Sequence, residues 1–177
     1  MKIAIIGYSG AGKSTLAEKL SNYYSIPKLH MDTLQFQPGW QDSDREWMLT
    51  EMKNFLTKHE AWVIDGNYSW CYYEERMQEA DQIIFLNFSP WTCLFRAFKR
   101  YLTYRGKVRE SMAAGCPERF DWEFIRWILW DGRTKNAKER YQRVQENYPE
   151  KVIVLRSQKE MDYFLENLAH NKKNQRV

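Results

Sequence analysis

Lys2-Ile3-Ala4-Ile5-Ile6-Gly7-Tyr8-Ser9-Gly10-Ala11-Gly12-Lys13-Ser14-Thr15 decides how the rest of the chain is read. After Lys2 the run is apolar and rich in β-branched side chains, which predicts a short buried strand. Gly7 to Ser14 fits G-x-x-x-x-G-K-[ST], the P-loop pattern. Leu16-Ala17-Glu18-Lys19-Leu20 follows with helical spacing and good helix formers. Strand, glycine-rich loop and helix N-terminus together make an anion cradle. Backbone N–H groups converge on phosphate oxygens, and the helix dipole favours negative charge there. On this reading Gly7, Gly10, Ala11, Gly12, Lys13, Ser14 and Thr15 form a nucleotide-phosphate site. Lys13 reaches the β- and γ-phosphates, and Ser14 ligates Mg²⁺.

Working outward, Pro27 to His30 reads as a second short strand, ending at Asp32, 19 residues past Lys13. Open α/β sheets bind ligands at the C-terminal ends of their strands. A carboxylate there can accept a hydroxyl proton, position an acceptor or hold a metal-bound water; an Asp also caps helices and turns. His30 reads as a satisfied, partly buried imidazole. Phe36-Gln37-Pro38-Gly39-Trp40 is a turn whose aromatics either line a pocket or cover the core edge. Ser43-Asp44-Arg45-Glu46 reads as a capping box for a helix to about Lys58. Ala61 to Asp65 is a third buried strand ending in a carboxylate, the Walker B arrangement. Asp65 can therefore hold Mg²⁺ directly or through water. Ser69 to Glu79 predicts a helix, and Gln82 to Phe88 a fourth strand.

Pro90 marks the start of a helix in which Leu94, Phe95, Phe98 and Leu102 form one apolar stripe. Arg96, Lys99 and Arg100 share another face. From Arg96 to Arg109 there are six cations and no acid, so the rest of the chain is net acidic although the whole carries +4. Such a cluster suits a polyphosphate clamp; direct DNA contact is a second possibility. Residues 103–120 lose periodicity and contain Gly106, Gly115 and Pro117, which points to a lid or binding loop. Helix resumes near the cap Asp121, with Trp122, Ile125, Ile128 and Leu129 on one face. Arg105 and Arg133 are placed to close on phosphates; surface solvation is the alternative for Arg133. Lys151 to Leu155 is the fifth strand, a final helix runs to about Leu168, and a polar tail over 171–177 is expected to fray.

The bulk numbers agree with a single α/β domain over 1–177. Apolar residues are 44% and charged residues 28% of 177, an ordinary globular balance. No apolar run reaches the roughly 20 residues of a membrane span. The short apolar N-terminal run ends in the phosphate loop, so it does not read as a signal peptide. Three widely spaced cysteines, Cys71, Cys93 and Cys116, fit reduced thiols and a cytoplasmic location. Five strands alternating with helices predict one parallel sheet covered on both faces.

The motif order resembles a known family. The P-loop, His30-Met31-Asp32, Pro38-Gly39-Trp40, Ile64 to Tyr68, Tyr104-Arg105-Gly106-Lys107, Gly115 to Arg119 and Val154 to Ser157 look like the bacterial DNA topology modulation proteins of the FlaR type. That family is similar in fold to adenylate kinase. The resemblance implies a three-layer α/β/α fold with sheet order 2-3-1-4-5, a lid after the fourth strand and an adenine pocket near the loop after the fifth. It places Gly12, Lys13, Ser14 and Thr15 at the nucleotide phosphates. Arg96 and Arg100 resemble the arginines that begin the lid, and Asp32 the acceptor-binding Asp of shikimate-kinase-like enzymes. Asp65-Gly66 matches the Asp-Gly of adenylate kinases, which continue with Phe-Pro-Arg where this chain has Asn67-Tyr68-Ser69. The arginine that grips an acceptor phosphate in those enzymes is missing there.

The expected activity is transfer of the γ-phosphate of ATP to a small acceptor: a nucleoside, a nucleotide or a hydroxylated metabolite. Lys13, Asp32, Arg96 and Arg100 would act on the reacting groups, Ser14 and Asp65 on Mg²⁺, with ATP as nucleotide. The alternative is an ATP-binding regulator associated with DNA topology whose lid responds to nucleotide.

Overall fold

The computed structural model describes residues 1–174, with side chains to 170. The sheet has five parallel strands: β1 (Lys2–Gly7), β2 (Lys28–His30), β3 (Trp62–Asp65), β4 (Gln82–Leu86) and β5 (Val152–Leu155). Their spatial order is β2-β3-β1-β4-β5, the expected 2-3-1-4-5 once a separate two-stranded hairpin between β2 and β3 is set aside. Helices cover both faces, giving three layers. Strands covered on both faces cannot alternate polar and apolar, and Ile3 to Ile6, Trp62 to Ile64 and Ile83 to Leu86 are all buried.

Register positions the functional end. Ile5 pairs with Asp65, His30 with Asp65, and Gly7 with Leu86. Because the strands are parallel, these residues gather at one C-terminal edge of the sheet. Helix α1 (Lys13–Tyr24) starts there directly after the glycine loop. Its buried Leu16, Ala17 and Leu20 pin it to the core.

Several local readings need correction. The hairpin of Phe36–Gln37 and Gln41–Asp42 turns the expected loop into paired backbone, after the one-turn helix α2 (Asp32–Gln35). Helix α3 (Arg45–Lys58) is capped by Asp44, whose carboxylate accepts from the Trp47 amide at 2.9 Å, not by Ser43. The helix expected from Ser69 is only α4 (Tyr73–Glu79), because Tyr72 takes a left-handed conformation (φ 47°) immediately before it. Of the stripe on α5 (Pro90–Tyr104), Leu94 packs against the core while Phe95, Phe98 and Leu102 face outward. Cys93 and Ala97 are buried, while Phe95 and Leu102 are 68% and 57% exposed. Small residues on its inner side let α5 lie close to the glycine loop, where a Cβ on Gly10 would meet the Cys93 carbonyl at 2.5 Å, and its bulky side chains point away. On α6 (Trp122–Leu129), Ile128 is the buried residue and Trp122 is exposed. A short 3-10 turn (Asp131–Arg133) leads into α7 (Lys135–Asn147), and α8 runs from Gln158 to Asn174. The helix therefore extends into the segment expected to fray, and 175–177 lie outside the described residues.

Candidate active site

The glycine loop has the backbone its pattern demands. Gly10 and Gly12 sit at φ 80° and 98°, a region side chains resist. A Cβ on Gly10 would stand 2.5 Å from the Cys93 carbonyl, and one on Gly12 would collide with the Arg96 guanidinium. Gly7 and Ala11 contribute differently from expectation: neither lines the cleft, and Ala11 is buried. Gly7 is needed because a side chain there would meet the Leu86 carbonyl of β4 at 2.5 Å. Tyr8, Ser9, Gly10, Gly12, Lys13, Ser14 and Thr15 line the glycine-loop end of a cleft of about 930 Å³.

Lys13 Nζ donates to the carbonyls of Gly7 (3.0 Å) and Tyr8 (3.2 Å). Burial pushes its pKa below the ordinary lysine value, and the carboxylates of Asp32 and Asp65 pull the other way. An ammonium poorly supplied with counter-charge beside a ring of backbone N–H groups is a ready partner for phosphate. Ser14 Oγ donates to Asp65 Oδ2 at 2.9 Å, and Asp65 Oδ1 lies 2.5 Å from His30 Nδ1. His30 is satisfied as expected, but fully in the core, where it fixes the Asp65 carboxylate. One hydroxyl and one carboxylate are hard oxygen donors of the kind Mg²⁺ takes. Among the described residues no group of three or more His, Cys, Asp or Glu forms a metal cage. The pair fits an ion that completes its shell with phosphate oxygens and water.

Asp32, the first residue of α2, also lines the cleft, and its Oδ1 accepts from the Tyr68 hydroxyl at 2.6 Å. Burial and the Asp32 carboxylate both raise the Tyr68 pKa, so the phenol stays a donor. The Asp32 charge reaches both Lys13 and Arg100. Phe36, Trp40 and Trp70 line the same end of the cleft as Asp32 and Tyr68; the rings of Phe36 and Trp40 meet edge to face, 5.2 Å apart.

Arg96, Arg100 and Arg133 all line the cleft. Arg96 bonds Gln158 Oε1 and lies over the Phe88 ring. Arg100 Nε donates to Glu118 Oε2 at 2.9 Å. Arg133 donates to the carbonyls of Ile128 (2.9 Å) and Phe88 (3.0 Å) and stacks 3.7 Å over Tyr8. Arg105 does not join them: it is exposed at the end of α5 and does not line the cleft. The residue in its place is Arg109, which shares the buried Glu118 carboxylate with Arg100. The irregular segment over 103–120 docks on the hairpin. The Gly39 amide donates to Gly115 O at 3.0 Å, and Trp40 Nε1 to Pro117 O at 3.2 Å.

Four residues organise the site in roles that the sequence does not reveal, although Asn67, Tyr68 and Glu118 fall within the resemblance motifs and only Arg76 lies outside them. The Asn67 side chain clasps Gly7, accepting from its amide and donating to its carbonyl. Arg76 is wholly buried and donates to the carbonyls of Gly66, Tyr68 and Tyr72, so it holds the loop that carries Asn67 and Tyr68. Glu118 gathers two arginines. Tyr68 is recognisable only once Asp32 stands beside it.

No protein-family model matches the chain, and no curated protein matches it. Among solved structures it is similar to a deoxyadenosine kinase from M. mycoides, solved with products dCMP and a flexible dCDP bound. The TM-score is 0.52 at 20% identity over 100% of both chains. It is also similar to a gluconokinase from Sinorhizobium meliloti 1021, with TM-score 0.50 at 19% identity over 98% of this chain and 96% of the other. Neither neighbour is a DNA topology modulation protein. What the likeness adds to the strand order and the glycine loop is that this chain has the P-loop kinase fold.

Proposed function

We propose that the protein is a phosphotransferase that moves the γ-phosphoryl group of ATP to a hydroxyl of a small acceptor. The observation that carries this reading is the placement of Lys13 and Asp32 in the lining of one cleft. Lys13 and the loop N–H groups hold the nucleotide phosphates. Ser14 and Asp65 hold Mg²⁺, which when bound neutralises phosphate charge. Asp32, kept in place by Tyr68, orients the acceptor hydroxyl and takes its proton as the oxygen–phosphorus bond forms and ADP departs. Arg96, Arg100 and Arg133 stabilise charge on the transferring group. Phe36, Trp40 and Trp70 give the acceptor an aromatic-lined subsite. Among the described residues no helix is long and apolar enough to cross a membrane, and a cytoplasmic location belongs to this proposal.

Incubating the protein with Mg·ATP and separate pools of nucleosides, nucleoside monophosphates and sugar acids, then weighing the products, tests it. Gain of one phosphate mass by one acceptor supports the reading; no phosphorylated product from any pool argues against it.

A second reading, a nucleotide-dependent regulator of the DNA topology modulation type, keeps the motif resemblance and gains from one observation. Lys99, Arg105 and Lys107 are exposed and outside the cleft. It requires DNA binding that weakens steeply with salt.

A further inference from the structure

The acceptor end of the cleft holds more positive charge than its own carboxylates offset. Arg100 and Arg109 share one carboxylate, that of Glu118, whose side chain is 4% exposed. Each reaches it through Nε. Arg109 also donates from Nη1 to Ser111 Oγ at 2.9 Å. Among the described residues no protein group accepts from the terminal nitrogens of Arg100 or from Nη2 of Arg109. Both arginines line the cleft. Burial lowers the Arg100 pKa most, and repulsion from Arg109 comes next. A guanidinium keeps its charge under burial, so it needs an anion beside it. One carboxylate meets that need for one of the two.

The way residues 103–120 are anchored decides where this surplus sits. Glu110 pairs at 3.2 Å with Lys28 of β2, an edge strand at the opposite side of the sheet from β5. The carbonyls of Gly115 and Pro117 accept from Gly39 and Trp40 of the hairpin. Cys116 Sγ donates to the Gln37 carbonyl at 3.1 Å. Arg109 is therefore held on the β2 side, from which Asp32 also comes. Arg96 lies on the other side, bonded to Gln158 after β5. Lys13 and Arg133 stand at the glycine loop, on Gly7 and Tyr8. The nucleotide phosphates thus have their own cations, and Arg109 belongs with the acceptor. Arg119 continues this wall, its guanidinium 4.9 Å over the Trp40 ring.

We propose that the acceptor carries an anionic group, a phosphate or a carboxylate, in addition to the hydroxyl that is phosphorylated, and that Arg109 binds this group. On the phosphotransferase reading, on which this rests, nucleoside monophosphates, sugar phosphates and sugar acids come ahead of neutral nucleosides and sugars. Glu118 is a positioning residue. By taking both Nε atoms it fixes the two guanidiniums and leaves terminal N–H groups for charge-assisted bonds to the ligand.

Matched pairs that differ in the anion test this: adenosine against AMP, thymidine against dTMP, and sorbitol against gluconate. Each compound is mixed with Mg·ATP for product mass and rates. Each is also titrated calorimetrically into protein saturated with Mg²⁺ and a non-hydrolysable ATP analogue. An anionic member should bind, and should be phosphorylated with kcat/KM at least about tenfold above its neutral partner. Arg109→Gln should raise KM for that acceptor by about 10- to 100-fold, leave KM for ATP unchanged and abolish the preference for the anion. Arg109→Lys, which keeps the charge but not the planar fork, should fall between the two; it carries the comparison if Arg109→Gln does not fold. Equal binding within every pair, preference for a neutral member, binding of no anionic member, or an Arg109→Gln effect confined to KM for ATP would overturn the proposal. Transfer to a neutral molecule alone would leave the phosphotransferase reading standing. Anion binding that Arg109→Gln abolishes, without any transfer, would keep the anion site and sink that reading.

Discussion

At the nucleotide end of the cleft, Lys13, Ser14, Asp65 and His30 hang from strands and a helix whose register is set by backbone hydrogen bonds. At the acceptor end, Asp32, Tyr68, Trp40, Arg109 and Glu118 come from a one-turn helix, a loop, a hairpin and the irregular segment over 103–120. The first end is positioned by the sheet. The second is positioned by a few side-chain contacts: Tyr68 on Asp32, Trp40 on Pro117, and Glu118 on two arginines. Backbone registers do not shift without unpairing strands, whereas side-chain contacts between loops can be exchanged singly. On the proposed function, the phosphate chemistry is built into the fold and acceptor choice is built onto it.

Substitutions at the two ends should separate these contributions. Lys13→Ala removes a charge that both acceptor and nucleotide depend on, and should lower kcat by about 10³ for any acceptor. Its circular dichroism should match the parent, and retained turnover would break the contrast. Asp32→Asn should lower acceptor-dependent turnover by about 10² and leave ATP affinity unchanged by titration; equal losses in both would move Asp32 to the nucleotide end. A pair of glycines compares backbone tightness. Gly10 and Gly106 have similar φ, 80° and 72°, but a Cβ meets backbone at 2.5 Å at Gly10 and nothing within 4 Å at Gly106. Chemical denaturation should show Gly10→Ala costing about 2–4 kcal/mol and Gly106→Ala about 1 kcal/mol. Equal costs would mean that the glycine loop is no tighter than the segment over 103–120. Tyr68→Phe removes one hydrogen bond to a carboxylate and should lower kcat about tenfold with the KM for ATP unchanged. A change confined to KM for ATP would contradict its place beside Asp32.

The strand, glycine loop and helix of the P-loop are legible in sequence because each is local: apolar run, glycines and helix formers are contiguous. Asp65 is legible because it ends a buried strand. The outward turn of the α5 stripe is not, since periodicity marks an apolar face without saying what it faces. There the small Cys93 and Ala97 decide, by permitting close approach. A basic run in the sequence points Arg105 at the phosphates; the chain instead turns at Gly106 (φ 72°) and brings Arg109 to Glu118. The roles of Asn67 and Arg76 are not legible in sequence because their partners are backbone carbonyls and amides, which every residue has. The hairpin is hidden for a related reason: two-residue strands leave no periodicity to read.

The most direct test of the central claim is ADP release from Mg·ATP. Nucleosides, nucleoside monophosphates, hydroxylated metabolites and duplex DNA are added separately, with Lys13→Ala protein as the blank. One small hydroxyl-bearing molecule should stimulate release strongly in the parent and not in the blank. Stimulation by DNA alone, or tight ATP binding with no response to any acceptor, would contradict the phosphotransferase assignment.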